Sequence, residues 1–388
     1  MKMKKSLFFS VLMLGALVFA GCQKEETDIT DTTKLWLAQE DKGTDWGYIN
    51  EKGKFIISAK FLSATSFSNG YAKVKEGVND DYAFIDKNGK VVMAEANDYA
   101  DFFYNGVCIY RDGKDLGFID KNFKVVCVPQ FASLYQMSAD GLALCWEQGE
   151  SLGAYCDKNG KIVIPAQFQY ASSFAGGVAV VAEEDKEGNV RYGLINTKGN
   201  FVVDYNKTPM SNLGEGVIAF LNSSDKVGLL NSKGKEILQA TYDDIDGFSE
   251  GLAAAYKGEK TGYINTKGDV VIELQKYDYA GYFRDGVAWV KKANSEKYDL
   301  INKKGDVILT LTSAQVPQTN FHNGLALVIN TDTYKKQYID KKGNKIYSWE
   351  PGGFSYVPAE EALKADFRST DAAALQMSNE AMKAAIRK

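Results

Sequence analysis

The sequence has few of the residues that most often carry catalytic chemistry. Its 388 residues include one histidine, His322, together with five cysteines and six prolines. A Ser-His-Asp or Cys-His catalytic set would need His322, and a histidine-ligated metal site would need more than one histidine. His322 stands at the variable position of a repeated turn, where other copies have serine or alanine. The sequence therefore predicts a protein that is not an enzyme and has no catalytic, cofactor-binding or metal-binding residues.

The cysteines other than Cys22 indicate neither a redox motif nor a metal site. They are Cys108, Cys127, Cys145 and Cys156, and no pair has Cys-x-x-Cys spacing. All four fall at apolar strand positions, where cysteine behaves as a small buried hydrophobic residue. Disulfides between adjacent repeats stay open as an alternative, since an exported protein folds in an oxidising compartment.

Long apolar runs are also lacking after the first residues. Lys2, Lys4 and Lys5 precede the run from Leu7 to Phe19, and Ala20-Gly21-Cys22 follows it. This pattern predicts a signal peptide over residues 1–21. The ending resembles the lipobox of bacterial lipoproteins, which implies that Cys22 is lipidated and attaches the protein to a membrane. The alternative is an ordinary signal peptide followed by a free cysteine. No later run of ~18 apolar residues predicts a membrane span.

Residues 22–34 are polar, with four acidic residues and one isoleucine, so we interpret them as a tether between the lipidated cysteine and the folded part. The segment Gln23 to Glu26 resembles the short acidic signal that directs some Gram-negative lipoproteins to the outer face of the outer membrane. The resemblance implies an exported outer-membrane lipoprotein facing the cell exterior; the alternative is a solvated linker.

The charge balance argues against two kinds of partner. Removing residues 1–21 leaves 43 basic and 50 acidic residues, and the formal charge moves from -4 to -7. A mildly acidic chain of mixed sign argues against nucleic acid and against polybasic membrane binding.

What the sequence has in abundance is a repeated phrase, of which Tyr192-Gly-Leu-Ile-Asn-Thr-Lys-Gly199 is one copy. An apolar strand runs into a turn that Asn or Asp opens and Gly closes, because Gly takes a positive φ without a Cβ clash. The glycine position recurs every 34 to 39 residues, at Gly53, Gly89, Phe123, Gly160, Gly199, Gly234, Gly268, Gly305 and Gly343. A second marker, Phe-x-x-Gly-x-Ala, lies between these turns, as in Phe174 to Ala179.

The two markers predict an all-β chain over residues 35–348, in about nine repeats of three antiparallel strands each. Nine copies exceed the roughly four to eight blades typical of propellers. We therefore expect an open solenoid or superhelix, with propeller-like closure as the second possibility. An open array also predicts that one internal repeat, residues 232–265, can be deleted with a modest loss of stability.

One copy departs from the turn pattern. Phe123 occupies the glycine position, and the preceding Asn122 is a residue type that tolerates the left-handed conformation. We expect this turn to shift by one residue.

The Trp46-Gly47 start, the Asn/Asp-x-Lys-Gly turn and the Phe-x-x-Gly-x-Ala segment together resemble the WG repeat, a bacterial family of tandem β-rich units. Only the first copy keeps the tryptophan. The resemblance covers roughly residues 44–347. It implies a binding or scaffold role and supplies no catalytic residue.

The repeat pattern stops at the C-terminal end. Residues 349–388 begin with Pro351-Gly-Gly353 and continue with many Ala, Glu, Lys, Leu and Met residues. These favour helix, so we predict a helical cap or tail.

The leading hypothesis is a non-enzymatic, lipid-anchored binding or scaffold protein of the cell envelope, whose repeat surface contacts a protein or a glycan. Trp146, Tyr256 and Trp289 are specific to single copies, and we name them as candidate ligand-contacting aromatics. The alternative is a carbohydrate-active hydrolase with a carboxylate pair such as Asp243-Asp244, since such a site needs no histidine.

Overall fold

The computed structural model describes residues 33–100, 102–275 and 277–352. All regular elements in these ranges are β-strands. The expected signal peptide (1–21), the predicted lipidation site Cys22 and most of the expected tether lie outside the described residues. So does the segment predicted to be a helical cap or tail, apart from residues 349–352, of which Trp349 ends the last described strand.

The strands form eight antiparallel sheets, numbered here in chain order. Sheets 1 and 2 contain Trp36–Gln39 (β1), Trp46–Ile49 (β2), Phe55–Phe61 (β3), Ser63–Ala64 (β4), Tyr71–Lys75 (β5), Ala83–Asp86 (β6) and Val91–Met93 (β7), with β1–β3 in sheet 1. Sheet 3 contains Val107–Asp112 (β8), Asp115–Asp120 (β9), Val125–Leu134 (β10), Ala143–Glu147 (β11), Gly153–Cys156 (β12) and Ile162–Phe168 (β13).

Sheets 4 to 8 have four strands each, in sequence order. Sheets 4 and 5 contain Tyr170–Ala171 (β14), Val178–Glu184 (β15), Val190–Asn196 (β16), Phe201–Asn206 (β17), Met210–Asn212 (β18), Val217–Leu221 (β19), Val227–Asn231 (β20) and Glu236–Tyr242 (β21). Sheets 6 to 8 contain Asp244–Ile245 (β22), Leu252–Lys257 (β23), Lys260–Asn265 (β24), Val270–Gln275 (β25), Tyr277–Ala280 (β26), Val287–Lys292 (β27), Tyr298–Asn302 (β28), Val307–Thr310 (β29), Gln315–Pro317 (β30), Leu325–Asn330 (β31), Lys336–Asp340 (β32) and Lys345–Trp349 (β33).

Sheet 3 explains how nine turn copies fit into eight sheets. Its strand β10 pairs with β9 through Val125 to Phe131, and with β11 through Phe131 to Leu134. In other copies the third strand and the next short strand are separate, as with β3 and β4. The third and fourth copies therefore share one continuous strand and one six-stranded sheet.

The core consists of hydrophobic clusters between successive repeat copies. Strand β27 shows why both faces of each sheet are apolar: Val287 and Trp289 pack forward against sheet 8, while Ala288 and Val290 pack back against sheet 6. Successive residues of a strand point to opposite faces, so a strand buried on both sides lacks polar alternation. Nine such clusters occur in the described residues, one for each junction between copies.

The last of these junctions joins sheet 8 to sheet 1 and closes the ring. Trp36, Ile49, Tyr338 and Trp349 share a buried cluster. The Tyr338 hydroxyl donates to the Leu37 carbonyl at 2.9 Å, and the Trp349 Nε1 donates to the Gln39 side-chain oxygen at 3.2 Å. The expected open solenoid is therefore wrong, and the array is a propeller of eight sheets. The closing residues belong to the first and last copies, which no local pattern relates.

The expectation for Phe123 is also wrong. Phe123 itself takes the left-handed conformation, with φ +60°, and its N–H donates to the Asp120 carbonyl at 2.9 Å. The Asp120 side chain accepts the N–H groups of Asn122 and Lys124, and a shifted turn would break this arrangement. The Phe123 ring lies 5.0 Å from the ring of Tyr71 between centroids. Aromatic packing of this kind offsets the backbone strain.

Cys108, Cys127, Cys145 and Cys156 are all buried and free. The last three share the cluster between the third and fourth copies, where they take the place of aliphatic residues. Within the described residues, no helix is long and apolar enough to cross a membrane.

Candidate binding faces of the ring

The polar groups of the repeated turn form hydrogen bonds with one another. In the copy at Asn196, the side-chain oxygen accepts the N–H of Lys198 at 2.9 Å and of Asn200 at 3.2 Å. Gly199, with φ +79°, donates its N–H to the Asn196 carbonyl at 2.8 Å. A Cβ at Gly199 would lie 2.9 Å from Ile164 of the neighbouring sheet, so the packing of the two sheets also leaves no room for a side chain at this position.

In other copies an ionised aspartate opens the same turn in place of asparagine. The backbone N–H of Lys124 lowers the pKa of Asp120 below its ordinary value, and the N–H of Asn122 adds to this effect. Hydrogen bonds to a carboxylate favour its charged form. These carboxylates therefore point into their own turns and are engaged by backbone N–H groups.

All these turns lie at the same edge of their sheets. The first long strand of a copy begins opposite the Asn or Asp that opens the turn, as in Val178 with Asn196 and Leu252 with Asn265, or one residue before it, as in Trp36 with Ile49 and Ala143 with Cys156. The Phe-x-x-Gly turns directly precede those first strands, so they lie at this edge too. In a closed ring of like-oriented sheets this edge forms one face.

Lysines gather on that face. In the five-residue turns that run from the opening Asn or Asp to the residue after the glycine position, sixteen lysines face seven acidic residues. The lysines are Lys52, Lys54, Lys87, Lys90, Lys121, Lys124, Lys158, Lys161, Lys198, Lys233, Lys235, Lys267, Lys303, Lys304, Lys341 and Lys342, all exposed except the half-buried Lys303 and Lys341. We call this surface the lysine face.

The Phe-x-x-Gly turns link successive copies through carboxylates. The N–H of Gly251 donates to the Glu215 carboxylate at 3.0 Å, and the N–H of Gly286 donates to Glu250 at 2.9 Å. Asp285 continues the series by accepting the N–H of Gly324 at 2.6 Å. In a closed ring, neighbouring sheets approach each other most closely near the axis. Because equivalent turns of neighbouring sheets are in direct contact here, these turns lie towards the ring axis.

The half-buried lysines join the two kinds of turn. The Lys303 Nζ donates to the Glu250 carbonyl at 2.8 Å and lies 3.2 Å from its carboxylate. The Lys341 Nζ donates to the Asp285 carbonyl. The acidic residues nearest the axis are thus held by glycine N–H groups and by lysines of the next copy.

An apolar rim borders the lysine face. The third strands begin directly after the turns, and several of their first residues are exposed hydrophobics. They are Ile56, Val91, Val92, Val125, Val163, Phe201, Val270, Val271, Val307 and Ile308, with 38 to 50% of each residue exposed. All of these strands except β10 are sheet edges, where exposed aliphatic residues are unusual on a solvated surface.

The opposite edge, which we call the variable face, carries the loops between the first and second longer strands. They are residues 40–45, 76–82, 113–114, 148–152, 185–189, 222–226, 258–259, 293–297 and 331–335. The hairpin of β15 and β16 has seven paired positions and projects furthest, and Glu183, Glu184, Asp185 and Glu187 make it acidic. Length and charge differ from copy to copy here, unlike on the lysine face.

The candidate aromatics do not form one platform. Trp146 and Tyr256 occupy equivalent strand positions in sheets 3 and 6, and both are half-buried. The Tyr256 hydroxyl donates to Asp246 at 2.8 Å, and burial, followed by the Asp246 charge, raises the pKa of Tyr256. Trp289 is 1% exposed and donates its Nε1–H to the Thr319 carbonyl at 3.2 Å, so it is a core residue.

The suggested carboxylate pair is engaged in local contacts. Asp243 pairs with Lys226 and accepts the N–H of Gly258 at 2.6 Å. Asp244 accepts the N–H of Ile245 at 2.8 Å. Among the described residues, no group of three or more His, Cys, Asp and Glu side chains has the arrangement of a metal site.

The lysine face is the feature that sequence reasoning missed. The signal was present, since every copy has one or two lysines within two residues of the glycine position. It was read only as turn chemistry, because a lysine's offset within a turn does not say which other lysines lie beside it.

The fold and its two repeated turns define an all-β, tandem-repeat propeller. The chain carries the WG containing repeat, whose family profile matches residues 46–77, 154–186, 228–260 and 262–295. The resemblance given by the repeat motifs is thus confirmed in four copies.

The solved structures that match this chain are distant from it. Apo AztD from Citrobacter koseri is 13% identical, with a TM-score of 0.39 over 83% of this chain and 95% of that chain. A eukaryotic initiation factor is 9% identical, with a TM-score of 0.45 over 71% and 87%. Hsv2 from Kluyveromyces lactis is 10% identical, with a TM-score of 0.34 over 62% and 92%. No curated protein matches. Likenesses at this level carry no argument about function.

Proposed function

We propose that the protein is a non-enzymatic binding or scaffold protein of the cell envelope, anchored by lipid on Cys22. Its variable face contacts a protein or glycan partner. The observation that carries the proposal is the difference between the two faces of the ring. On the lysine face, the same turn, capped by an Asn or Asp side chain, recurs in copy after copy. On the variable face, loops of different length and charge sit on a rigid support, which is the arrangement that binding scaffolds use.

Shortening the hairpin of β15 and β16 should abolish partner binding without unfolding the ring. The variant replaces residues 185–189 by Gly-Glu, the two-residue connection between Lys257 and Lys260. Retention of envelope proteins and glycans on the immobilised chain should fall roughly tenfold or more, since a few residues carry most binding energy. Thermal unfolding should stay unchanged within a few degrees.

The matched control lengthens the short hairpin by placing Asp-Lys-Glu-Gly-Asn between Lys257 and Lys260, and it should keep the partner. Equal retention by parent and shortened chain would contradict a binding role for this hairpin. Turnover of a glycan that disappears on substitution of one Asp or Glu would instead support the hydrolase alternative, which no contact among the described residues favours.

The anchor is tested separately. Cys22→Ser should give a protein that takes up no radiolabelled fatty acid and leaves the membrane fraction, because the thiol is the acceptor of the lipid. Labelling in cells and fractionation measure both results. Label retained by the variant would show that the ending Ala20-Gly21-Cys22 is not a lipidation site.

A further inference from the structure

We propose that the lysine face docks on a bilayer surface that carries anionic lipid headgroups, with the variable face turned away from the membrane. The inference deepens the proposed function and rests on it in one respect, because the lipid on Cys22 brings this face to the bilayer. Its four supports are the charge, the planarity, the apolar rim and the position of the N-terminal segment.

The charge of the lysine face differs in sign from that of the whole chain. Fourteen of its sixteen lysines are exposed. Of the acidic residues in the same turns, Asp120 is held by two backbone N–H groups, and Asp306 accepts the Asn302 side-chain amide at 2.9 Å. The formal net charge of -7 for residues 22–388, which argues against polybasic membrane binding, does not describe this surface. Each lysine near an anionic bilayer strengthens binding about fivefold.

The arrangement of the lysines fits an extended surface better than a pocket. They stand within the same five-residue turn of each copy, two or one residues before the glycine position or one residue after it, at the same edge of successive sheets. A closed ring places such positions in one plane around the axis. A small anion would contact one or two of these lysines, whereas a bilayer surface can contact many of them at once.

The apolar rim adjoins the lysine face. Val91 and Val92 directly follow Lys90, and Val125 directly follows Lys124; all three hydrophobic residues are more than a third exposed. Lysine side chains lay their methylene stems along apolar surface while the amine stays at the headgroups. Aliphatic residues beside lysines are the composition of segments that lie in a membrane interface.

The N-terminal segment meets the ring on the lysine face. Trp36 begins β1 beside Ile49, one residue before the turn at Asn50, and the Asn323 side-chain amide donates to the Thr33 carbonyl at 3.4 Å. Ten residues lie between Cys22 and Thr33 in the sequence, and that length of chain spans at most about 40 Å. An anchor at Cys22 therefore joins the ring on the side of the lysine face.

The test uses the chain from residue 22 with Cys22→Ser, which carries no lipid, so that the result does not depend on lipidation. Sedimentation with vesicles compares phosphatidylcholine alone with phosphatidylcholine mixed with phosphatidylglycerol, at low and at physiological salt. We expect binding to the mixed vesicles only, weakened by salt because exposed charges are screened. Lys54, Lys90, Lys124 and Lys161 changed together to Gln should weaken it roughly tenfold or more.

The matched control changes four exposed lysines of the variable face to Gln, namely Lys114, Lys186, Lys297 and Lys335. It alters the net charge equally and should leave vesicle binding unchanged. Equal losses in the two variants, or no binding to the mixed vesicles, would overturn the proposal, as would binding of a soluble acidic glycan in place of vesicles. A failure of fatty-acid labelling would count against the anchor alone.

Discussion

A chain that lacks residues 232–265 should be insoluble or unfolded under conditions where the parent is a soluble, cooperatively folding protein. The deletion removes one period and joins Asn231 to Thr266, so the turn at the junction still reads Asn-Thr-Lys-Gly. No local pattern is broken. The loss comes from geometry, because the remaining copies must close a ring with one interface fewer. Every remaining angle between neighbouring sheets then changes, or the ring opens and exposes two apolar sheet faces.

The control keeps the number of copies by placing residues 266–302 where residues 232–265 were removed. This chain again runs from one opening Asn to the next, and it should fold with a modestly lowered midpoint. Thermal unfolding with light scattering compares the three proteins. A deletion chain as soluble and cooperative as the control would contradict closure and support the open array that the repeat count suggested.

Trp349→Ala should lower the free energy of unfolding by about 3–5 kcal/mol, the range for removing a buried large aromatic side chain. Trp349 is 1% exposed, although it is the last residue of the last described strand. Its ring packs 5.9 Å from the ring of Tyr338, and its Nε1–H bond to Gln39 is made across the junction of sheets 8 and 1. Denaturant unfolding of parent and variant measures the change.

Trp289→Ala is the matched control, because Trp289 has the same exposure but lies at the junction of sheets 7 and 8. In a closed ring the two substitutions should cost similar amounts. A loss at Trp349 of less than a third of the loss at Trp289 would mean that sheets 8 and 1 do not pack together in solution.

The local structure could be predicted from the sequence because it depends on neighbouring residues. A turn such as Asn196 to Asn200 is held by hydrogen bonds within four residues, and Gly199 is needed because its φ is positive. The turn at Phe123 shows the limit of this reasoning. The capping bonds to Asp120 are local and could be foreseen, but the aromatic contact with Tyr71 spans two sheets and could not.

The candidate ligand residues could be predicted less well for the same reason. Trp146 and Trp289 looked alike in the sequence as tryptophans specific to one copy. Whether such a residue is a contact or a core residue depends on which way its strand position faces, and β27 is buried on both faces. The lysines show the reverse case. Each is an ordinary turn residue in the sequence, and only the ring places it on a shared surface.

The sequence by itself determined the repeat period, the all-β class, the turn chemistry and the alternation of the apolar positions, because these arise from interactions within one copy. Only the tertiary structure decided that the array closes and that the lysines share a face. Closure depends on the angle between successive sheets, a quantity that side-chain packing at each junction sets and that adds up around the ring. Once the ring closes, residues at the same offset in each copy come together on one surface, although each lies more than thirty residues from its counterpart.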